Sequence, residues 1–257
     1  MSASLKVKIE ILCKAVKILK NWHIYVASYF HLVKDDVILE TRSGMKIKVR
    51  TGSTDLMAFT NVWILQEYHK PSFEIKHNDT IIDIGAHAGF FALYAAQYCN
   101  TGRIFCFEPV SDNFNLLVEN IRINKLTNIT CYNNAVSNQD KVVRIYLNST
   151  DQAAHSVYGD GKEYIEVAAT TLNDIINVNG IKVVNFLKLD CEGSEYDVLQ
   201  ATSNEHMKKI QKICLEYHIS KDDHTSLNLL KNRLLSLNFR IIDNSTTSDL
   251  GILYASK

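Results

Sequence analysis

The stretch that decides the fold is Thr80-Ile-Ile-Asp-Ile-Gly-Ala-His-Ala-Gly-Phe-Phe-Ala-Leu-Tyr-Ala-Ala-Gln97. Its first part, residues 80–86, is short and mostly apolar, which is typical of a strand buried on both faces of a parallel sheet. Residues 87–97 predict a helix. Gly85 can turn the chain tightly between strand and helix, and Gly89 lets the helix pack closely against the strand. The stretch therefore predicts a strand, a glycine-containing loop and a helix.

Strands and helices continue to alternate downstream. Residues 103–108 predict a second strand, residues 111–124 a second helix, and residues 129–136 a third strand. Four more strand-like runs follow, at residues 183–189, 212–216, 239–242 and 252–255. Such alternation predicts an α/β fold whose doubly wound sheet is covered by helices on both faces.

The loop after the first strand indicates the kind of ligand that the sheet would bind. Its form is D-x-G-x-x-x-G, and His87 stands where dinucleotide-binding loops have the glycine that admits a pyrophosphate. The loop therefore suits a smaller ligand, and Asp83 can reach the ammonium group of an amino-acid-like cofactor. Glu108 ends the second strand, where a carboxylate can accept hydrogen bonds from ribose hydroxyls. The side chain of His87 is expected to face outward.

The residues before this core form a prefix, which we delimit as residues 1–77, with the main domain at residues 78–257. Residues 1–33 predict a lysine-studded amphipathic helix or helix pair. Such a helix can lie on an anionic membrane surface, but packing on the domain with the lysines in water is the favoured interpretation. A hairpin turning at Ser43-Gly44 follows, then a helix over residues 56–68. Three prefix residues are candidates to approach the active site: Arg50, Thr51 and Asp55.

Composition narrows the class of protein. The 257 residues include 28 Lys+Arg and 28 Asp+Glu, and this zero net charge argues against nucleic acid as a partner. The neutrality conceals a basic N-terminal part: residues 1–80 carry 12 basic and 8 acidic residues, and residues 81–257 carry 16 and 20. None of the six cysteines forms a C-x-x-C pair, which favours free thiols in a reducing cytoplasm. No secretory signal is recognisable, so we expect a cytoplasmic location.

Several motifs together resemble the FkbM family of S-adenosylmethionine-dependent methyltransferases over roughly residues 45–220. The most specific is Lys188-Leu-Asp-Cys-Glu-Gly-Ser-Glu195, and Asn173 departs from the family, which often has Asp there. The other motifs are Asp83-Ile-Gly-Ala-His-Ala-Gly-Phe-Phe91, Phe107-Glu-Pro109 with Asn113, Leu116, Leu117 and Asn120, Asn134-Ala-Val-Ser137 and Leu215-Glu-Tyr-His218.

The resemblance implies a seven-stranded, Rossmann-like methyltransferase sheet that ends in an antiparallel hairpin, closing at residues 244–251. It implies O-methylation of a hydroxyl on a small molecule or a glycan, with S-adenosylmethionine as cofactor. The cofactor-binding residues implied by the matching motifs are Asp83, Gly85, Ala86, Gly89, Glu108, Pro109, Asn134, Ala135 and Asp190.

A hydroxyl acceptor must lose its proton, so a positioned base would assist methyl transfer. The candidates lie at predicted carboxyl ends of strands, where open α/β sheets bind ligands. Asp190 is expected nearest the transferred methyl group, although it could instead be an acid paired with Lys188. For Glu195 the favoured interpretation is an acid placed by the helix dipole. The catalytic candidates are Asp190, Glu192, Glu216 and His218.

Four further interpretations concern a metal site, a lid and two alternative functions. A divalent metal is conceivable at Asp190, Glu192 and Glu216, but we predict no metal site. Residues 148–161, with His155 and Ser156, are a candidate lid over the acceptor. A nicotinamide-dependent oxidoreductase is disfavoured by the missing central glycine and by the lack of a Tyr-x-x-x-Lys pattern. A non-catalytic scaffold is disfavoured because the loop and the strand-end acids are intact.

Overall fold

The computed structural model describes residues 5–139, 141–146, 164–191, 193–218, 224–245 and 250–257. The N-terminal part contains a helix pair, a β-hairpin and a helix that continues into a π-helical segment over Thr60–Leu65. These elements are α1 (Leu5–Ile18), α2 (Trp22–Tyr29), β1 (Val37–Glu40), β2 (Lys46–Val49) and α3 (Asp55–Phe59).

The α/β core follows. Its first half contains β3 (Thr80–Ile84), α4 (Phe90–Ala96), β4 (Arg103–Phe107), α5 (Ser111–Ile123), β5 (Ile129–Tyr132), β6 (Ala135–Val136) and β7 (Val142–Tyr146). Its second half contains β8 (Tyr164–Thr170), α6 (Leu172–Val178), β9 (Phe186–Leu189), α7 (Glu195–Ala201), α8 (Asn204–Lys209), β10 (Lys212–His218), α9 (His224–Ser236), β11 (Arg240–Ser245) and β12 (Leu250–Ser256).

Seven strands form the central sheet in the order β11-β12-β10-β9-β3-β4-β5. β12 is antiparallel to both of its neighbours, whereas the pairs from β10 to β5 are parallel. The predicted seven-stranded α/β sheet with its C-terminal antiparallel hairpin is therefore confirmed. The strand order reverses between β3 and β9, and such a switch point opens a crevice at the carboxyl ends of the strands.

The predicted third strand is wrong in its extent. The run 129–136 divides into β5, in the central sheet, and β6, which pairs with β8 in a separate three-stranded sheet of order β6-β8-β7. Asn133 lies at the break, and its side-chain amide donates to the carbonyls of Glu108 and Pro109. These bonds tie the chain to the end of β4 instead of allowing β5 to continue.

Two predicted helices, over residues 87–97 and 56–68, have different bounds in the structure. α4 begins at Phe90 because His87 and Gly89 have positive φ angles of 50° and 82°, which cannot belong to a right-handed helix. The helix predicted over 56–68 ends at Leu65, where Gln66 takes the left-handed conformation with φ of 56°. The chain thus turns at Gln66 and directs the next residues toward the sheet.

The N-terminal elements share one apolar core with α4. Phe59 and Trp63 stack on each other, Trp63 meets Tyr94 edge to face, and its indole N–H donates to the carbonyl of Phe90 at 3.0 Å. Asn120 on α5 is fully buried and accepts from the backbone N–H of Lys48 at 2.7 Å. This packing holds the end of the prefix over the crevice.

Candidate active site

A cleft lies at the switch point, with walls from the α/β core and a cover from the prefix. Gly85 and Ala86 follow β3, Glu108 follows β4 and Asp190 follows β9, and all four residues line the cleft. Glu216 on β10 lines it as well. The prefix contributes Met57, Asn61, Glu67 and Tyr68. Residues far apart in the chain therefore meet around one space.

Gly85 brings the loop after β3 against the loop after β9. Its φ is 74°, and a Cβ atom placed there would lie 1.7 Å from the carbonyl oxygen of Asp190. A side chain would thus force the two loops apart. Gly89 has a different role, because a Cβ there would meet Cδ1 of Leu117 at 2.5 Å, and Gly89 does not border the cleft. The second glycine serves the packing of α4 on α5.

Glu108 is a buried carboxylate that faces the loop after β3. Its Oε2 accepts from the backbone N–H of His87 at 2.8 Å, and its Oε1 accepts from the N–H of Val110 at 2.9 Å. Burial raises the pKa of Glu108 to about 7, although both backbone hydrogen bonds oppose the rise. The side chain of Asn113 also hydrogen-bonds to Glu108, and the carboxylate retains capacity to accept a hydrogen bond from a hydroxyl in the cleft.

Lys188 is the cation at the floor of the cleft. Its ammonium lies 3.1 Å from Oδ1 of Asp83 and 3.6 Å from Oδ2 of Asp190, and it donates to the carbonyl of Gly85 at 2.7 Å. Burial alone would lower the pKa of Lys188, but the two carboxylates outweigh burial and raise it. Asp83 is fully buried and does not line the cleft, so in this structure it anchors Lys188.

Asp190 is held from two sides. The hydroxyl of Tyr68 donates to its Oδ2 at 3.0 Å, and the same oxygen faces Lys188. Its side chain is 26% exposed and reaches the cleft, unlike that of Asp83. Asp190 therefore both pairs with Lys188 and lines the cleft, so the two sequence interpretations of this residue are compatible.

Glu67 is a cleft residue that the sequence analysis missed. Burial, together with the nearby charge of Asp190, raises its pKa to about 8. The hydroxyl of Tyr254 on β12 bonds to the backbone carbonyl of Glu67 and so fixes the turn after Gln66. A single glutamate after a helix carries no recognisable signal, and its position depends on the left-handed turn and on packing.

The loop after β9 is held by Glu195. Its two carboxylate oxygens accept from the backbone N–H groups of Cys191 at 2.7 Å and Gly193 at 2.8 Å. Burial raises the pKa of Glu195 to about 7. The acid expected at the start of α7 is therefore fully buried, and it shapes the loop that carries Asp190. Glu192 lies outside the described residues.

The expectation that His87 faces outward is wrong. The imidazole is mostly buried, with 17% of the side chain exposed; it borders the cleft and has Nε2 3.5 Å from Oδ1 of Asp55. Burial lowers the pKa of His87 to about 4, so the ring is neutral at physiological pH. The positive φ of His87 follows from the tight turn that brings its N–H to Glu108 and carries its ring inward.

Asp55 links the prefix to the core beneath His87. It is fully buried and takes a two-pronged contact from the guanidinium of Arg50, which also donates to Oδ1 of Asn113 at 2.7 Å. Burial alone would raise the pKa of Asp55, but the bonds from Arg50 lower it. Thr51 instead bonds to the carbonyl of Lys34. Arg50 and Asp55 thus support the site, and Thr51 lies apart from it.

Only some of the remaining predicted site residues line the cleft. Pro109 and Ala135 line the cleft, whereas Asn134 does not. His218 ends β10, opposite Leu250 on β12, and its side chain is not part of what the structure describes. His155 and Ser156 fall in residues 147–163, outside the described residues.

Within the described ranges, no three His, Cys, Asp or Glu side chains are arranged to hold a metal ion. No described helix is long and apolar enough to span a bilayer.

Several curated relatives of this chain are methyltransferases. Methyltransferase 1 of Beauveria bassiana is 24% identical over 175 residues, which cover 60% of this chain and 70% of that protein. The 31-O-demethyl-FK506 methyltransferase FkbM of Streptomyces tacrolimicus is 26% identical over 184 residues, or 59% and 70% of the two chains. The hexuronic acid methyltransferase AglP of Haloferax volcanii is 24% identical over 163 residues, or 63% and 66%.

The solved METTL16 methyltransferase domain is similar to this chain with a TM-score of 0.49 and 14% identity, covering 84% of this chain and 74% of that one. The profile of the methyltransferase FkbM domain matches residues 83–241, which is more than half of the chain. That segment begins at the aspartate of the glycine loop and includes Glu108 and Asp190. The chain belongs to the FkbM family of methyltransferases.

Proposed function

We propose that the protein is an S-adenosylmethionine-dependent O-methyltransferase acting on a hydroxyl of a small molecule or a glycan. The observation that carries the proposal is the joint position of Glu108 and Asp190 in one cleft, on either side of the close approach at Gly85. The relatives named as methyltransferases of 31-O-demethyl-FK506 and of a hexuronic acid support acceptors of these classes.

The residues present fit the proposed cofactor. Glu108 can accept hydrogen bonds from ribose hydroxyls, and Gly85, which lines the cleft, allows the loops after β3 and β9 to lie close together at its edge. Apolar side chains of Phe107 and Val136 border the same part of the cleft and can contact an adenine ring. The carboxylates around Lys188 favour a cationic group. S-adenosylmethionine would supply an electrophilic methyl group on a sulfonium.

We assign the proton-accepting role to Glu67. A hydroxyl oxygen attacks more readily as its proton departs, and a base whose pKa lies near the working pH is the most effective. The pKa of about 8 places Glu67 in that range. Asp190, fixed by Tyr68 and Lys188, would orient the acceptor hydroxyl, and Glu216 borders the same wall. These side chains hold the acceptor and remove its proton.

The two parts of the chain would then bind different substrates, one the cofactor and the other the acceptor. Residues 78–257 would bind the cofactor through the loops after β3, β4 and β9. Residues 1–77 would bind the acceptor, because Met57, Asn61, Glu67 and Tyr68 form the cover of the cleft.

Calorimetric titration with S-adenosylhomocysteine tests the proposal. We expect micromolar binding with no heat from NAD⁺ or NADH under the same conditions. Among variants, Glu108→Ala should weaken this binding, whereas its matched control Glu119→Ala should leave it unchanged. Glu119 is an acid of α5 that is 37% exposed, bonds to Lys48 and lies outside the cleft. The proposal fails if the wild-type protein binds neither S-adenosylmethionine nor S-adenosylhomocysteine, or if it binds NADH instead.

A further inference from the structure

A second cavity lies beside the cleft, within the prefix. Its volume is about 620 Å³, which falls in the range of roughly 300–1,000 Å³ typical of small-molecule sites. It is enclosed by the helix pair, the end of the hairpin and α3. Most of the side chains that face it are apolar, among them Ile9, Leu12, Val26, Tyr29, Leu56 and Leu65. We call this cavity the prefix groove.

The prefix groove lies next to the cleft and shares part of its wall. Met57 and Asn61 border both spaces, so the end of the groove meets the cover of the proposed acceptor site. Glu67, the proposed base, is on the cleft side of this junction. A molecule that places a polar group near Glu67 can therefore extend an apolar part past Met57.

The groove also leaves apolar side chains in contact with water. Leu12 is 40% exposed, Met57 53% and Phe30 63%, and all three border the groove. A contiguous set of exposed apolar side chains on a folded protein marks a binding site more often than an ordinary surface. Their position around a concave space indicates a ligand that enters the groove.

We propose that the prefix groove binds an aliphatic chain carried by the methyl acceptor, whose hydroxyl-bearing head group occupies the cleft. This proposal rests on the proposed methyltransferase function and specifies its substrate class as amphipathic. The chain lies among apolar side chains that contribute no hydrogen bonds, while the head group meets Asp190 and Glu67. A membrane surface is the other candidate for these side chains, but a flat bilayer would cover the rim and leave the cavity itself unfilled.

Binding of alkyl β-glucosides tests the proposal without a known acceptor. Hexyl, octyl and decyl glucosides, each below its micelle concentration, are titrated into the full chain saturated with S-adenosylhomocysteine. Because each buried methylene strengthens binding by about 0.8 kcal/mol, or roughly fourfold, we expect affinity to rise about 200-fold from hexyl to decyl. Leu12→Glu places a charge in the groove and should weaken binding of the decyl compound at least about tenfold.

The control is Leu235→Glu, which changes a 54% exposed leucine on α9 that does not border the groove. It should leave glucoside affinity unchanged, and both variants should bind S-adenosylhomocysteine as the wild type does. Equal affinity for all three glucosides, or full affinity in Leu12→Glu, would overturn the proposal. Sedimentation with phosphatidylglycerol-containing vesicles, in the absence of chain-length-dependent glucoside binding, would identify a membrane contact instead. Failure of S-adenosylhomocysteine binding would refute the methyltransferase proposal separately.

Discussion

Replacement of Glu67 by glutamine provides a test with two independent readouts. The pKa of Glu67 is raised from 4.5 to about 8, so the native carboxyl keeps its proton at pH values where the unfolded chain has lost it. If Glu67 accepts the proton of the acceptor, kcat/KM should rise about tenfold per pH unit below pH 8 and level off above it. Glu67→Gln should lower the rate about 100- to 10,000-fold and abolish this rise.

Stability gives the second readout, and its sign is fixed by the raised pKa. Between pH 4.5 and 8 the native state binds more protons than the unfolded state, so this group lowers the stability as pH increases. At about 1.4 kcal/mol per pKa unit, the loss reaches at most about 5 kcal/mol above pH 8. Glutamine cannot ionise and escapes the loss. Urea unfolding should therefore show the variant equal to wild type near pH 4.5 and more stable at pH 8.5.

The matched control is Glu119→Gln, on the surface of α5, which should change neither profile. The reasoning is refuted if Glu67→Gln keeps the wild-type pH–rate profile, because the rise would then belong to another buried acid such as Glu108, whose pKa is about 7. It is also refuted if the stability difference between variant and wild type does not depend on pH.

Three further predictions concern the cofactor side of the cleft. Glu108→Ala should weaken S-adenosylhomocysteine binding by about 1–3 kcal/mol in calorimetry, because hydrogen-bonding partners lose their acceptor, and unchanged affinity would remove Glu108 from the site. Gly85→Ala should abolish binding, since its Cβ would overlap the Asp190 carbonyl, whereas Gly44→Ala, also at positive φ but in open space, should only destabilise by about 1 kcal/mol. Asp190→Asn should lower turnover more than cofactor affinity, and a fully active variant would exclude a catalytic contribution.

The sequence predicted those parts of the fold that local patterns encode. The run 80–97 contains an apolar strand, two glycines and an alanine-rich helix in immediate succession, and β3 and α4 lie there. The run 129–136 contains no glycine, proline or charged residue that would mark a break in the strand. Its division into β5 and β6 depends on the bonds of Asn133 to the end of β4, which join residues about 25 positions apart. Such contacts leave no periodic trace in the sequence.

Only the part of the candidate site that follows local sequence patterns was predictable. Gly85, Glu108 and Asp190 each follow a recognisable strand, so their meeting at one sheet edge follows from topology. Glu67 has no such position, because its place depends on the left-handed turn at Gln66. The contact of Tyr68 with Asp190 joins residues 122 positions apart. The glycine and the acids at the sheet edge were therefore predictable from the sequence, whereas the placement of Glu67 and Tyr68 required the structure.

The basic charge of the prefix does not line the cleft. Lys20 pairs with Glu40 at 2.7 Å, Lys48 pairs with Glu119 at 3.0 Å, and Arg50 is held by Asp55. Each of these three cations therefore has an acid of the chain within salt-bridge distance, so less of the basic excess is left for an anionic partner. The prefix supplies the cleft with a carboxyl and a phenol.

This division predicts where acceptor selectivity is encoded. The family match begins at Asp83, so it includes Gly85, Glu108 and Asp190 but neither Glu67 nor the residues of the prefix groove. If residues 1–77 bind the acceptor, exchanging them for the equivalent part of a relative should change the preferred acceptor while S-adenosylhomocysteine affinity stays within about threefold. The reverse outcome, an unchanged acceptor with lost cofactor affinity, would place acceptor recognition in residues 78–257 and contradict the division. A groove point variant such as Leu12→Glu should then affect only acceptors that carry an aliphatic chain, because its charge lies away from the head-group site.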